Sequence, residues 1–399
     1  DDFFGMVRET LGVDAEVISG EEEATLSFVG AVGDLDPADG PFVVVDTGGG
    51  STELVVGELV DGRATVRQAY SADIGSVRIT ERCLAGDPPT ADEIAQAREL
   101  AADGVVLATG ARARTLPVST PLRGVHTLRT VDDAVALRDD LAQAGSLVVV
   151  GGGFIGAEVA STARSLGLSV TVVEALGTPL AGPLGAQLGA VCAGLHADHG
   201  VRLLTGTDVA RLVGEDRVTA VELADGRSLP ADVVVVGVGA QPNVEWLAGS
   251  GVELDGGVVT DASCATNIPG IVAVGDCASS YDPALGRHRR IEHWTHALQQ
   301  PATAVATLLS GGAAPAYTAV PYFWSEQYGR QLQLAGCHRP GDVVTVVEGS
   351  TDSRAFVATY ERDGRLVAVL GLDAGGAFAR WRRILRRQHA ALTAAPPAS

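Results

Sequence analysis

Ser146-Leu147-Val148-Val149-Val150-Gly151-Gly152-Gly153-Phe154-Ile155-Gly156-Ala157-Glu158 is the stretch on which the fold turns. A short apolar run of strand type opens directly onto G-x-G-x-x-G, and the residues that follow read as a helix. Each glycine has a separate task. Gly151 permits the tight turn, Gly153 lets backbone approach a pyrophosphate, and Gly156 lets helix and strand pack closely. The helix start adds free N–H groups and a partial positive charge for phosphate oxygens. The next strand, Leu168-Ser169-Val170-Thr171-Val172-Val173, ends in Glu174, about 20 residues past the glycines. A carboxylate there accepts ribose hydroxyls and repels a 2′-phosphate, and no Arg follows closely, so the spacing predicts NADH rather than NADPH. Val218 to Leu223, an Asp225-Gly226 turn and Val233 to Val236 carry the strand pattern onward. Residues 144–262 are read as an NAD-binding domain with a parallel sheet.

Around this module the composition sets limits. The chain has 399 residues, room for two or three domains, with 46% hydrophobic and 20% charged residues, a globular balance. Its net charge of −20 opposes general binding to nucleic acid or to an anionic membrane. No apolar run is long enough to span a bilayer, and the start lacks the pattern of a signal peptide, so a cytoplasmic location is expected. All 29 basic residues are Arg, which excludes a lysine nucleophile or a P-loop lysine. The five cysteines (Cys83, Cys192, Cys264, Cys277 and Cys337) form no CxxC and read as small buried hydrophobes rather than a redox dithiol.

Two further segments suggest a second nucleotide, a flavin. Asp103 to Arg112 and Gly270 to Ala278 are each a short apolar strand delivering a glycine turn, and Asp276 ends the second, where a carboxylate could bind a polyol hydroxyl. With Val105-Val106-Leu107-Ala108-Thr109-Gly110-Ala111-Arg112, the fingerprint, the run Val234 to Asn243 containing Gly239, Gly270 to Ala278, Ile291 to Gln300 and Val320 to Gly329, residues 101–399 resemble the FAD-dependent NADH:ferredoxin reductases, a class with two dinucleotide domains. The resemblance implies FAD between Rossmann-like domains and a C-terminal domain beside the flavin. It implies that Thr109, Gly110 and Arg112 line FAD, that Asp276 holds its ribityl and phosphate region, and that Trp294 and Ala297 lie near the isoalloxazine. Trp324 would flank the ring or the nicotinamide. Phe154, Ile155 and Gly239 join the glycines and Glu174 on the dinucleotide. Hydride would pass from NADH to the flavin and electrons to a ferredoxin-type iron–sulfur protein. That family opens with a GxGxxG of its own for FAD, and none stands before residue 101, so impaired flavin binding and activity are expected.

Residues 1–100 carry other motifs: Val17 to Ala24, Val43-Val44-Val45-Asp46-Thr47-Gly48-Gly49-Gly50-Ser51-Thr52-Glu53, Ile74 to Arg82, and Asp87-Pro88-Pro89-Thr90. The residues after the glycine run read as a strand, so this is a strand–loop–strand hairpin rather than a dinucleotide fingerprint; such a loop can still cradle phosphate. The segment resembles the exopolyphosphatase/guanosine pentaphosphate phosphatase family, of the actin-like ATPase fold. The resemblance implies phosphate binding by Gly48, Gly49, Gly50 and Ser51, a place for Asp46 near a metal such as Mg, and Glu22 as the carboxylate that activates water. A change of family near residues 98–104 suggests a fusion.

Two histidine pairs, His293/His296 and His196/His199, lack a third ligand set, and no metal site is read there. Arg287, Arg289 and Arg290, and the run Arg380 to Arg387, are basic clusters on an acidic chain. They are either solvated faces or docking points for an acidic ferredoxin. The expected fold is α/β. Its domains are a phosphatase-like segment (1–100), a truncated FAD domain (101–143 and 263–318), the NAD domain (144–262) and an α+β C-terminal domain (319–399). The expected function is NADH-dependent, FAD-linked ferredoxin reduction. The alternatives are phosphohydrolysis by the N-terminal segment, or a chain that binds NADH without catalysis.

Overall fold

The computed structural model describes residue 8 and residues 20–32, 42–47, 52–60, 63–72, 90–93, 104–116, 122–312 and 314–393. The chain divides into two units, residues 1–105 with 245–251, and residues 106–244 with 252–399.

In the first unit, helix α1 (Gly20–Val32) accompanies three antiparallel strands in sequential order: β1 (Phe42–Thr47), β2 (Thr52–Val60) and β3 (Arg63–Ala72). Phe28 and Val32, one turn apart on α1, pack on Val55 and Leu59, which alternate onto one face of β2. Between those two, Gly57 leaves room for the Phe28 ring; a Cβ there would lie 2.5 Å from it. Thr47 pairs with Thr52, so the glycine run joins two antiparallel strands, as the strand–loop–strand reading expects. Gly48 to Ser51 themselves lie outside the described residues.

The second unit opens with the short strands β4 (Val105–Leu107) and β5 (Ala111–Ala113), then β6 (Val125–His126) and helix α2 (Val131–Leu141). Thr130 and Asp133 close a reciprocal capping box at the start of α2. Next come β7 (Ser146–Val150), α3 (Phe154–Ser165), β8 (Ser169–Glu174), α4 (Ala181–Asp198) and β9 (Arg202–Thr205). An antiparallel excursion of β10 (Val209–Gly214), β11 (Val218–Leu223) and β12 (Ser228–Pro230) precedes β13 (Val233–Val236), which re-enters between β6 and β7. The resulting sheet, β6-β13-β7-β8-β9, is parallel throughout. All four β13 residues and four of five in β7 are buried, which is why both read as unbroken valine runs rather than alternating patterns.

Beyond it, β14 (Ala240–Pro242) pairs with β5. Then come β15 (Val258–Thr260), β16 (Ile271–Ala273), β17 (Ala278–Asp282), β18 (Arg287–Arg289) and helix α5 (Trp294–Leu309). β16 pairs with β4, and the Val274 N–H donates to the Leu107 carbonyl at 3.0 Å.

The C-terminal layer is an antiparallel sheet of β19 (Tyr322–Gln327), β20 (Arg330–Gly336), β21 (Val343–Ser350), β22 (Ala355–Arg362) and β23 (Arg365–Leu372), followed by helix α6 (Gly375–Thr393). Its order is β19-β20-β23-β22-β21. Asp363 and Gly364, both at positive φ, make the tight β22–β23 turn. Phe356, Ala358 and Tyr360 face Leu184, Leu188, Cys192 and Leu195 of α4, whereas Val357 and Val369 face Phe378 and Leu385 of α6. Both faces are thus buried. Among the described residues no helix is long and apolar enough to cross a membrane.

Candidate functional site

The fingerprint glycines occupy three different environments. Gly151 has φ +104°, and a Cβ there would stand 2.3 Å from the Gly237 carbonyl oxygen. At Gly156 a Cβ would fall 2.0 Å from the Gly151 oxygen. Both are required by the fold itself. Gly153, the N-cap of α3, has ordinary negative φ, and a Cβ added there would meet nothing within 4 Å, so neither packing nor strain explains it. It leaves open the ground in front of the helix N–H groups, where a pyrophosphate would stand. Glu174 ends β8 beside this loop. Its carboxylate accepts the Gly152 N–H at 2.7 Å and the Leu176 N–H at 2.8 Å, which anchors the acid to the glycine turn and leaves lone pairs for ribose hydroxyls.

The open side of the fingerprint forms one wall of a cleft of about 710 Å³. Gly153, Phe154, Ile155, Gly237 and Gly239 come from the parallel-sheet domain, residues 292–295 from the start of α5, and residues 321–324 from β19. Phe154 meets Phe323 edge-on at 4.5 Å, tying the glycine loop to the C-terminal sheet. Trp294 and Trp324 stand edge-to-face at 5.8 Å, and Trp324 stacks on Tyr322. The two tryptophans are 67% and 44% exposed, an unusual disposition for rings of that size unless a planar ligand covers them.

On the flavin side, the structure joins residues that no local pattern connects. The Thr109 hydroxyl donates to the Asn243 carbonyl at 2.7 Å, Asn243 Nδ2 donates to the Thr109 carbonyl at 3.0 Å, and Arg112 donates to Asn243 Oδ1 at 3.1 Å. Gly110, at φ +66°, turns the chain and its carbonyl accepts the Asn243 N–H. Asp276 follows Gly275, which has φ +70° and whose N–H is held by the buried Gln300 at 2.8 Å; Ala297 faces this turn. Asp276 accepts Arg129 at 2.6 Å, and Arg129 also donates to the Ala111 carbonyl. Sequence reading missed Arg129 and Asn243, because each meets its partner across more than 130 residues.

Burial holds His293 and His296 neutral, with pKa values pushed down to about 4. Burial also raises the Cys192 and Cys264 thiols to about 12, which makes them inert. The cluster of Arg287, Arg289 and Arg290 is only partly open to a partner. Arg289 pairs with Asp282 at 2.9 Å and contacts Cys337, and Arg290 pairs with Glu292, so two of the three charges are already compensated. In the first unit, Glu22 lies exposed on α1. The Asp46 carboxylate accepts the Ser27 hydroxyl at 2.6 Å.

A parallel dinucleotide sheet, a shared cleft with an aromatic wall and an antiparallel C-terminal layer define a pyridine-nucleotide oxidoreductase. Residues 45–301 match the family described as pyridine nucleotide-disulphide oxidoreductase, and residues 322–396 match the reductase C-terminal family. The chain belongs to the pyridine nucleotide-disulphide oxidoreductase family. It is 41% identical over 293 residues to the ferredoxin reductase component of a chlorobenzene dioxygenase from Cupriavidus sp. (strain PS12), covering 73% of this chain and 70% of that one. It is also 41% identical over 266 residues to rhodocoxin reductase of Rhodococcus erythropolis, covering 66% of this chain and 62% of the relative. The covalent putidaredoxin reductase–putidaredoxin complex superposes with a TM-score of 0.67 at 36% identity, covering 71% of this chain and 69% of that one. The first family match runs across residues 98–104, where the motifs place a change of family.

FAD is the cofactor this family implies. The ring side of the cleft fits it: two exposed tryptophans, and close by them a positive-φ turn at Gly275 backed by Ala297 that sets Asp276 beside Arg129. The strand–glycine–helix cradle at Gly151–Gly156 is the one whose terminal acid, Glu174, suits NADH.

Proposed function

We propose that this chain takes electrons from NADH and passes them, through a flavin bound against the α5 start, to a ferredoxin-type iron–sulfur protein. One observation carries the reading: the open end of the NADH fingerprint and the aromatic pair Trp294/Trp324 line the same cleft. In it, the α3 N–H groups face the pyrophosphate, Glu174 reads the ribose, and Gly239 keeps the cleft floor low. Trp294 and Trp324 flank the reacting rings. Thr109, Gly110, Arg112, Asp276 and Ala297 hold the flavin, and Arg129 adds a cation beside Asp276. A flavin, when bound, supplies the conversion of a two-electron hydride into single electrons. The iron–sulfur partner docks on α6, where Arg383, Arg386 and Arg387 have no carboxylate partner among the described residues. Arg382 lies over the Tyr322 ring at 3.7 Å, which links that face to the tryptophans.

The test is the visible absorption spectrum of the purified chain with and without added FAD. Flavin bands that bleach on addition of NADH are expected. No bound flavin at saturating FAD would reduce the reading to that of an NADH-binding chain. A second reading concerns residues 1–100. The antiparallel β1–β2 pairing around the glycine run fits a strand–loop–strand phosphate hairpin, although the oxidoreductase family match already extends over residues from 45. Mg-dependent phosphate release from inorganic polyphosphate, lost on Glu22→Gln, is its test. The division at residues 100, 143, 262 and 318 is part of the same proposal.

A further inference from the structure

His293 is the N-cap of α5, and its backbone carbonyl accepts the His296 and Ala297 N–H groups at 2.9 and 3.1 Å, so its place is fixed by the helix start. Its ring lies 4.8 Å from Phe323, the same ring that Phe154 of the glycine loop meets on another side. It lines the cleft that the fingerprint opens into. Nδ1 is sealed from water and has no hydrogen-bond partner among the described residues. A proton on Nδ1 would be an orphaned buried donor, whereas a bare ring nitrogen is the more tolerable deficit. Arg289, Arg290, Glu292, Asp276 and His296 are the charged and titratable groups around the ring. Burial first, then Arg289, keeps it neutral against the opposing pull of Asp276. A neutral imidazole with a bare Nδ1 carries its proton on Nε2. The residue therefore offers one neutral donor to the cleft that Trp294 and Trp324 also line.

We infer that His293 is a specificity residue that donates from Nε2 to the carboxamide oxygen of the nicotinamide ring. A neutral donor suits this role, because a cation so close to the ring would oppose the positive charge the nicotinamide gains as hydride leaves. The inference rests on the reading that NADH occupies this cleft.

The test is fluorescence titration of the purified chain with NADH and with ADP-ribose, which has the same phosphates and riboses but no nicotinamide. His293→Phe should weaken NADH about five- to tenfold, the loss expected of one neutral hydrogen bond, and leave ADP-ribose within about twofold. His293→Gln, which restores an N–H donor, should recover most of the NADH affinity. Unchanged NADH affinity in His293→Phe overturns the inference and leaves the functional reading intact. Equal weakening of both ligands assigns the ring to packing and overturns it as well. Failure of the unsubstituted chain to bind NADH while it binds ADP-ribose overturns both.

Discussion

Gly153 and Gly156 stand three residues apart in one motif, yet they should fail in opposite ways. Gly153 has ordinary φ and open space where a methyl group would go, so Gly153→Ala keeps the fold. The methyl group then occupies the ground in front of the helix N–H groups, and NADH affinity should fall at least about tenfold with Tm nearly unchanged. Gly156→Ala drives a Cβ to 2.0 Å from the Gly151 oxygen and to 3.1 Å from Val149, so it must lower Tm by several degrees before any ligand is added. Calorimetry beside an NADH titration checks both, and a thermally neutral Gly156→Ala would contradict the packing argument. Glu174 combines the two roles. Its bond to the Gly152 N–H supports the loop, and the proposed NADH reading sets a ribose against the rest of the carboxylate. Glu174→Gln should keep the fold, weaken NADH about tenfold and narrow its advantage over NADPH, because the charge that repels a 2′-phosphate is gone. Comparison of the two dissociation constants decides this; an unchanged ratio would remove Glu174 from nucleotide selection.

Helix α6 has one face in a core and another that the proposed docking reading assigns to a partner. Phe378, Trp381 and Leu385 recur at helical spacing and pack on the C-terminal sheet, which turns Arg383, Arg386 and Arg387 into a cleft of about 850 Å³. Arg380 is held by Glu348 at 2.7 Å, and Arg382 by the Tyr322 ring, so the other three are the charges left for a partner. Charge reversal at Arg383 and Arg387 should slow reduction of an acidic ferredoxin more than tenfold and flatten its salt dependence, while reduction of a small quinone stays within about twofold. Stopped-flow rates with the two acceptors separate these outcomes, and equal slowing of both would place the arginines in folding rather than docking. How much of such an element is legible beforehand depends on the range of its contacts. The valine runs of β7 and β13, the glycine loop and the β11–β12 turn at Asp225-Gly226 are local signals, and they read correctly. The helical face of α6 was visible as an arginine run, but its cleft was not, because Thr318, Gln333 and Gln299 reach it from distant elements. Two charges of the Arg287–Arg290 cluster are compensated by near neighbours, Arg289 by Asp282 across the β17–β18 hairpin and Arg290 by Glu292 two residues on, which a run of arginines does not by itself reveal. His293 showed in the sequence only as half of a histidine pair, and Arg129 and Asn243 carried no role of their own; tertiary placement sets the first in the cleft and the other two against the Thr109–Arg112 and Asp276 segments.

At the scale of the whole second unit, the C-terminal sheet meets the parallel-sheet domain through α4. Its apolar face is buried by β20, β22 and β23, and polar ties surround that core. His196 shares a 2.7 Å hydrogen bond with the Tyr328 hydroxyl, Ser161 accepts the Tyr328 N–H at 2.7 Å, and Tyr360 donates to the Leu184 carbonyl at 2.7 Å. Glu158 on α3 accepts the Ser325 hydroxyl at 2.5 Å, one residue from Trp324. Burial pushes His196 down to about 4, and His293 and His296 to about the same value. The folded chain therefore refuses protons that these imidazoles accept, once unfolded, below about pH 6.5. Between about pH 6.5 and 4 the unfolded state binds more protons than the folded one, so stability is full above that window and falls as pH drops through it. The carboxylates act in the same direction. Asp140, whose pKa is lowered against burial by Arg217 and His126, adds its own loss at lower pH as it is protonated. Thermal unfolding at several pH values should give a Tm that declines steadily from about pH 7 to about 4.5. His196→Gln should start lower at neutral pH, having a weaker tie to Tyr328, but decline less steeply, because one of the three buried imidazoles no longer takes up a proton on unfolding. A His196→Gln profile parallel to that of the unsubstituted chain would mean that His196 titrates alike in both states and that the joint between the two sheets is open to water.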